Sequence, residues 1–493
     1  MHLSEIIEAV RPVSIYGGEC QEISNITNNS NDVKPNALFI CISGYRGDGH
    51  LYANEAVKRG AVAVITERKL DLPVSQIVVT NSRLAQALAS HKFFGYPSSK
   101  LKLVGITGTN GKTTISYMTE AILRAAGFNT GLIGTIKYKI NKNIMPARLT
   151  TPDSPELGYL FRQMLVNKVE FAVMEVSSHA LDQHRVTGCD FDVVVFSNIA
   201  RDHFDFHHNF QNYLKAKTRL FANQCSWGSK PLMHRCAVIN TDDQYSSYII
   251  KATEAAKIYS YGFNPSARVR AVGYMLDINS SVVEVKVDDR PFTIKLALPG
   301  LFNISNALAA IAVGLCFGID LDIIKQALSD FEGIPGRCEF INCDQNFNVM
   351  VDFAHNPSGL FNILTGIPYP NSTHKKIVVF GCEGGKDQGK RSLMGIIAAR
   401  HADYCIISTD NVYREDPEDI VRDIEQGLIQ GGISPSRYRI ILDRYEAIRH
   451  SLEIARPGDI VIIAGKGHEN EQVINNQVIP FDDRVVIKQI LAT

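Results

Sequence analysis

The 493-residue chain is 45% apolar and 21% charged, the balance of a globular protein long enough for two to four domains. Lysine plus arginine and aspartate plus glutamate both number 51, which leaves no global basic field for nucleic acid or an anionic membrane. No apolar run approaches the ~20 residues that span a bilayer, no basic-then-apolar leader opens the chain, and the ten cysteines form no CxxC pair or Cys/His cluster, so a cytoplasmic protein without structural zinc or disulfides is expected.

Short β-branched runs alternate with helix-length segments, the pattern of an α/β protein. In an expected first domain, residues 1–98, the runs ALFICISG (37–44), AVAVIT (61–66) and QIVVT (76–80) read as strands, and YPSS (96–99) reads as a linker. An expected second domain covers residues 99–335. There LKLVGIT predicts a strand entering a glycine-rich turn, and Ile115, Met118 and Ile122 predict a helix directly after it. FAVMEVSS (171–178) and DVVVFSNI (192–199) predict further strands. The third domain, residues 336–493, carries the strand-like runs NVMVDFA (348–354), KIVVFGC (376–382), DYCIIST (403–409) and DIVIIAGK (459–466).

The turn after LKLVGIT is Gly108-Thr109-Asn110-Gly111-Lys112-Thr113-Thr114. Small residues let the backbone wrap a phosphate so that its N–H groups and the helix N-terminus face the charge. Lys112 then reaches the β- and γ-phosphates and the Thr113 hydroxyl ligates Mg²⁺. The common pattern has glycine at the position held by Ile106, and this chain has Gly105 and Gly108 instead. The strand–loop–helix context still points to ATP. Glu175 and His203 follow strand-like runs and are candidate Mg²⁺ ligands. Singly, each reads more readily as an ordinary polar residue. The density of His and Asp from Asp182 to His208 argues for a site.

These segments resemble the Mur ligase family. GTNGKTT, EVSSHALDQHRV, SNIARDHFDFH, YLKAKTRLF, FNISNALAA, GIPGRCEF and VDFAHNPSGL stand in family order over essentially the whole chain. The resemblance implies three domains: a UDP-sugar-binding domain, a central P-loop ATPase-type domain and a Rossmann-like C-terminal domain that binds the amino acid. It implies a monomer that uses ATP and Mg²⁺ to join a free diamino acid to UDP-N-acetylmuramoyl-L-alanyl-D-glutamate through an acyl phosphate, the third-residue step of peptidoglycan precursor synthesis. Lys112 and Thr113 would hold the phosphates, Glu175 the first metal and His203 the second. Lys217 would be carbamylated and act as a metal ligand; without the resemblance it reads as an exposed helix lysine. Asn303 and Asn306 would lie near the adenine. Arg337, Asp352 and His355 would close the C-terminal domain over ATP.

For the nucleotide sugar, Ser30 matches the serine of a family Asp-Ser-Arg, which here reads Asn29-Ser30-Asn31, and GYRGDGHLY (44–52) matches the uridine-binding stretch. Thr150, Thr151, Ser177, Gln183 and Arg185 match positions that bind the muramoyl dipeptide, and the Arg185 fork suits a D-glutamate carboxylate. In the C-terminal domain the match weakens. The family's Asp-Asn-Pro-Arg reads Asp410-Asn411-Val412-Tyr413, with Arg414 one position late, and a second family arginine is Lys386. Gly465 and Glu469 remain. Either diaminopimelate is retained, through Arg414 and Lys386, or selectivity moves to L-lysine or another amine lacking the distal carboxylate. Alternatives to the whole reading are a folylpolyglutamate-type or other amide ligase and a nucleotide-binding regulator without catalysis. GYRGDGHLY weighs against the folate ligase, and the set Lys217, Glu175 and His203 weighs against the regulator.

Overall fold

Three large sheets organise the computed structural model, which describes residues 1–44, 47–222, 229–369 and 373–492. The first is five-stranded, in the order Ser14–Tyr16, Ser75–Val78, Ala61–Thr66, Ala37–Ile40, Asn25–Thr27. All its pairings are parallel except the first. The stretch YPSS is not a loose linker. It forms a 3-10 turn over Pro97–Lys100 in which Pro97 and Ser98 are buried, because the Ser98 hydroxyl accepts the Asp190 N–H at 3.2 Å.

The second sheet has eleven strands. Its parallel centre pairs Lys102–Thr107 with Phe171–Glu175 on one side and with Val193–Phe196 on the other. These strands read as continuous apolar runs because helices cover both faces. Val104, Ile106, Val173 and Val195 are fully buried. The helix Lys112–Ala125 packs on one face and lies against Leu301–Cys316, whose Ala307, Ala309, Ala310 and Ala312 permit close approach. Antiparallel strands extend the sheet at both edges: Val269–Leu276, Ser281–Val287 and Arg290–Leu296 at one, Lys137–Ile140 and Asn143–Pro146 at the other.

The third sheet runs Glu339–Phe340, Asn348–Asp352, Ile460–Ala464, Lys376–Phe380, Tyr404–Ile407, Tyr438–Ile440, parallel except for its first strand. A hairpin, Glu471–Ile474 with Gln477–Pro480, stands beside it. Ligands of open parallel sheets bind outside the carboxyl ends of the strands. The carboxyl ends of the second and third sheets face one another here. Among the described residues no helix is long and apolar enough to cross a membrane, and no two cysteines are joined in a disulfide.

Candidate active site between two facing sheets

The phosphate end is made by backbone geometry. Strand Lys102–Thr107 leads through Gly108 to Gly111, and the helix begins at Lys112 with no side chain capping it, so its first N–H groups face the loop. Gly111 has φ +88°, and a Cβ there would lie 2.3 Å from Asn306 Oδ1. At Gly108 a Cβ would lie 1.9 Å from Ser197 Oγ. Both have positive φ, which favours glycine, and a side chain at either would displace these neighbouring groups. Lys112 Nζ donates to the Gly108 and Thr109 carbonyls, both at 2.9 Å, which folds it over the loop.

Behind it, Glu175 Oε2 accepts the Thr113 hydroxyl at 2.9 Å and the Thr135 hydroxyl at 3.1 Å, while Oε1 accepts the Thr135 N–H at 2.8 Å. Thr135 was carried by no motif. Lys217 is 1% exposed, donates to the Gly108 carbonyl at 2.7 Å and lies 4.5 Å from the Tyr213 ring centroid. Burial, and then Lys112, push its ammonium well below the usual lysine range, with Asp202 pulling the other way. A buried lysine that close to the phosphate loop is the opposite of an exposed helix residue.

Asp202 is the carboxylate that sequence reading passed over for its neighbour His203. It is buried, accepts Asn356 Nδ2 at 3.1 Å, and stands 3.8 Å from both His203 Nε2 and His355 Nε2. Burial alone would raise its carboxyl, but His203, His355, Lys390 and Lys112 outweigh burial and hold it below the usual range. Burial pushes His203 down to about 3 and His355 to about 4, so both are neutral at pH 7. A neutral imidazole is the form that binds a metal. Among the described residues no cluster of three His, Cys, Asp or Glu is arranged to hold a metal. A cation near Thr113 and Glu175 would need nucleotide oxygens to complete its shell, which is how Mg²⁺ is commonly held.

Two cavities meet at the loop. One, of about 360 Å³, is lined by Asn110, Phe302, Asn303, Asn306, Arg337 and Asp352, joining the sequence-predicted adenine and closure residues. Asn303 Nδ2 donates to the Pro299 carbonyl at 2.8 Å, and its Oδ1 accepts Asn306 Nδ2 at 3.2 Å. The other, a chamber of about 230 Å³, lies between the second and third sheets. Lys112, Thr113, Thr150, Glu175, Ser177 and His203 line it from the second sheet; His355, Glu383, Asp410, Gly465 and Glu469 line it from the third. Thr151 lies just behind, its hydroxyl donating to the Glu175 carbonyl at 2.8 Å.

At the far end of the chamber, Lys466 is fully buried and donates to Glu469 Oε2 at 2.8 Å and Asn411 Oδ1 at 3.2 Å. Burial raises the carboxyls of Glu383 and Glu469. The Tyr413 hydroxyl reaches Glu383 Oε1 at 3.5 Å, from a left-handed backbone at φ 53°. Lys386 and Arg414 are exposed and do not line the chamber.

A third cavity, of about 600 Å³, lies between the first and second sheets and is lined by Ser43, Gly44, Arg83, Gln183, Lys215 and Arg219 among others. Gln183 Oε1 accepts Arg83 Nη1 at 3.3 Å and Arg185 Nη2 at 2.9 Å. Arg185 also pairs with Asp153 at 2.9 Å. Ser30 lies in the 3-10 turn Ser30–Asp32, where Arg59 Nη1 donates to its carbonyl and to Asn31 Oδ1 at 3.1 and 2.9 Å. Ser30 lines none of these cavities. Tyr45 and Arg46 of the expected uridine-binding stretch lie outside the described residues.

Comparison with known proteins finds the Mur ligase family, catalytic domain, over residues 22–92, the Mur ligase middle domain over 106–314, and the Mur ligase, glutamate ligase domain over 336–467. The chain is 41% identical to UDP-N-acetylmuramoyl-L-alanyl-D-glutamate--2,6-diaminopimelate ligase of Caldanaerobacter subterraneus subsp. tengcongensis, over 100% of this chain and 99% of that one. It is 42% identical to the protein of the same name from Syntrophomonas wolfei, over 99% of each. A solved structure with that enzyme name is 30% identical and superposes with a TM-score of 0.68, covering 100% of this chain and 99% of the other.

Proposed function

Because this chain belongs to the Mur ligase family, we propose that it joins a diamino acid to UDP-N-acetylmuramoyl-L-alanyl-D-glutamate, consuming ATP and serving peptidoglycan precursor synthesis in the cytoplasm. It acts as an ATP-dependent ligase with the family's three-domain architecture, divided near residues 98 and 335. The observation that carries this reading is the chamber itself. Phosphate-binding groups enter it from one sheet and a ring of carboxylates, Glu383, Asp410 and Glu469, from the other.

In the first step a carboxylate oxygen of the dipeptide attacks the γ-phosphorus and ADP departs. The Gly108–Thr114 N–H groups and Lys112 hold the phosphate oxygens where charge spreads. Thr113 and Glu175 would hold Mg²⁺, with His203 and a carbamylated Lys217 at a second ion; when bound, Mg²⁺ neutralises charge on the phosphates. In the second step the free amine attacks the acyl carbon, phosphate leaves and the amine loses a proton. The carboxylates at the far wall suit a substrate's second ammonium. Gln183, Arg185 and the cationic cleft of Arg83, Lys215 and Arg219 suit the nucleotide sugar's anionic groups.

The relatives' names make 2,6-diaminopimelate the first choice of amine. L-lysine is the second reading, favoured by one observation: no guanidinium other than Arg337, which belongs to the ATP side, lines the chamber among the described residues. The test is phosphate release with the UDP-dipeptide and a panel of diaminopimelate, L-lysine and L-ornithine. Release with diaminopimelate supports the first reading, and release with L-lysine alone supports the second. No release with any amine contradicts both.

A further inference from the structure

An acyl phosphate must be kept from water, which attacks its carbonyl carbon, expels phosphate and returns the starting carboxylate with ATP spent. The chamber is walled by two separate sheets, so something must keep those walls together. At its rim, Arg201 Nε and Nη2 donate to Asp387 Oδ2 and Oδ1, both at 3.0 Å. This two-pronged pairing crosses from the loop after strand Val193–Phe196 to the loop after strand Lys376–Phe380. The Asp387 side chain is 7% exposed and that of Arg201 is 40% exposed, so the carboxylate sits inside the seam and the guanidinium folds over it. The Phe204 ring, 4.8 Å away, supports the guanidinium.

Two further features belong to the same loop. A Cβ at Gly389 would lie 2.2 Å from Arg201 Nη2, so the absence of a side chain there admits the fork. Lys390 Nζ donates to the His355 carbonyl at 2.8 Å. Neither Arg201 nor Asp387 lines the chamber. Each is close in sequence to residues that do: Arg201 adjoins Asp202 and His203, and Asp387 follows Glu383 by four positions.

We propose that Arg201 and Asp387 form an inter-domain latch of positioning residues that holds the chamber shut and couples ATP consumption to amide formation. The inference rests on the ligase reading above. Its test is the number of ADP molecules released per amide formed by the full chain, measured with the UDP-dipeptide and the preferred diamino acid. Wild type should give a ratio near one. Asp387→Asn and Gly389→Ala, the second leaving both charges in place, should each raise it about threefold or more, with unchanged melting temperatures. The exchange Arg201→Asp with Asp387→Arg should bring the ratio back toward wild type. A ratio that stays at the wild-type value in both single variants overturns the latch. A wild-type enzyme that forms no amide with any amine overturns the ligase reading itself, and the latch with it.

Discussion

The two walls of the reaction chamber are built by different means. The phosphate wall is mostly backbone: glycines that admit close approach, an uncapped helix start, and Lys112 folded onto the loop's own carbonyls. The amine wall is side chains projected from the ends of several strands, with Lys466 buried among Asn411 and Glu469. Beneath it the fully buried Arg444 makes two 2.8 Å bonds to Asp483 and donates to the Thr409 and Ala464 carbonyls, fixing the strand ends that carry Asp410 and Gly465. A backbone wall tolerates few changes and serves one ligand. A side-chain wall can change its ligand by single substitutions while its scaffold stays in place.

The largest expected effect breaks the phosphate wall. Lys112→Ala should lower ADP formation by about 10³ or more whatever amine is offered, as loss of a group facing the transferred phosphoryl does. Lys217→Ala should lower kcat by about 10², since it removes a group buried against the phosphate loop. Its depressed ammonium favours the neutral amine, which is the form that attacks CO₂. Unmutated protein in ¹³C-bicarbonate should therefore show a carbamate carbon resonance that the variant lacks, and equal spectra would refute the modification.

Breaking the amine wall should be gentler and selective. Glu469→Gln should raise KM for the diamino acid about tenfold and leave KM for ATP within about twofold, because the lost charge stands beside Lys466 on the wall away from the phosphate loop. Tyr413→Arg adds a guanidinium beside Glu383 and should raise use of diaminopimelate over L-lysine several-fold. An unchanged preference would mean that this wall does not read the distal carboxylate.

The smallest effect lies outside both walls. His91 is 3% exposed beneath Gly188, and burial lowers it from 6.5 to about 4. Unfolding below pH 6.5 therefore takes up a proton that the folded state refuses. The stability from its neutral form is complete above 6.5 and is lost as pH falls toward 4. His179, His203 and His355 act in the same direction. Melting temperature should fall across this window, and His91→Gln should flatten the fall by about one proton's slope.

Legibility in the sequence followed the same division. The strand Ala61–Thr66 and the helix face of Ile115, Met118 and Ile122 follow from local periodicity, and the phosphate loop from local composition. Thr135 reaches the site only through tertiary contact, so no local signal named it, while Asn356 stood inside VDFAHNPSGL but meets Asp202 only in three dimensions. Asp202 stood inside a His- and Asp-rich run, yet Asn356, which donates to it, lies more than 150 positions away. The edge strands from Val269 to Leu296 alternate exposed and buried residues, a fainter signal than a continuous apolar run. The amine wall was the hardest to read, because which charges remain free depends on pairings such as Lys466 with Glu469, visible only in three dimensions.

The central claim is tested most directly by following phosphate release from ATP with UDP-N-acetylmuramoyl-L-alanyl-D-glutamate in the presence and absence of each diamino acid, with mass analysis of the product. The account predicts release that depends on both the UDP-dipeptide and a diamino acid, together with a product heavier by that amino acid less one water. Release that ignores the amine, or an unchanged UDP-dipeptide after ATP is consumed, would contradict it.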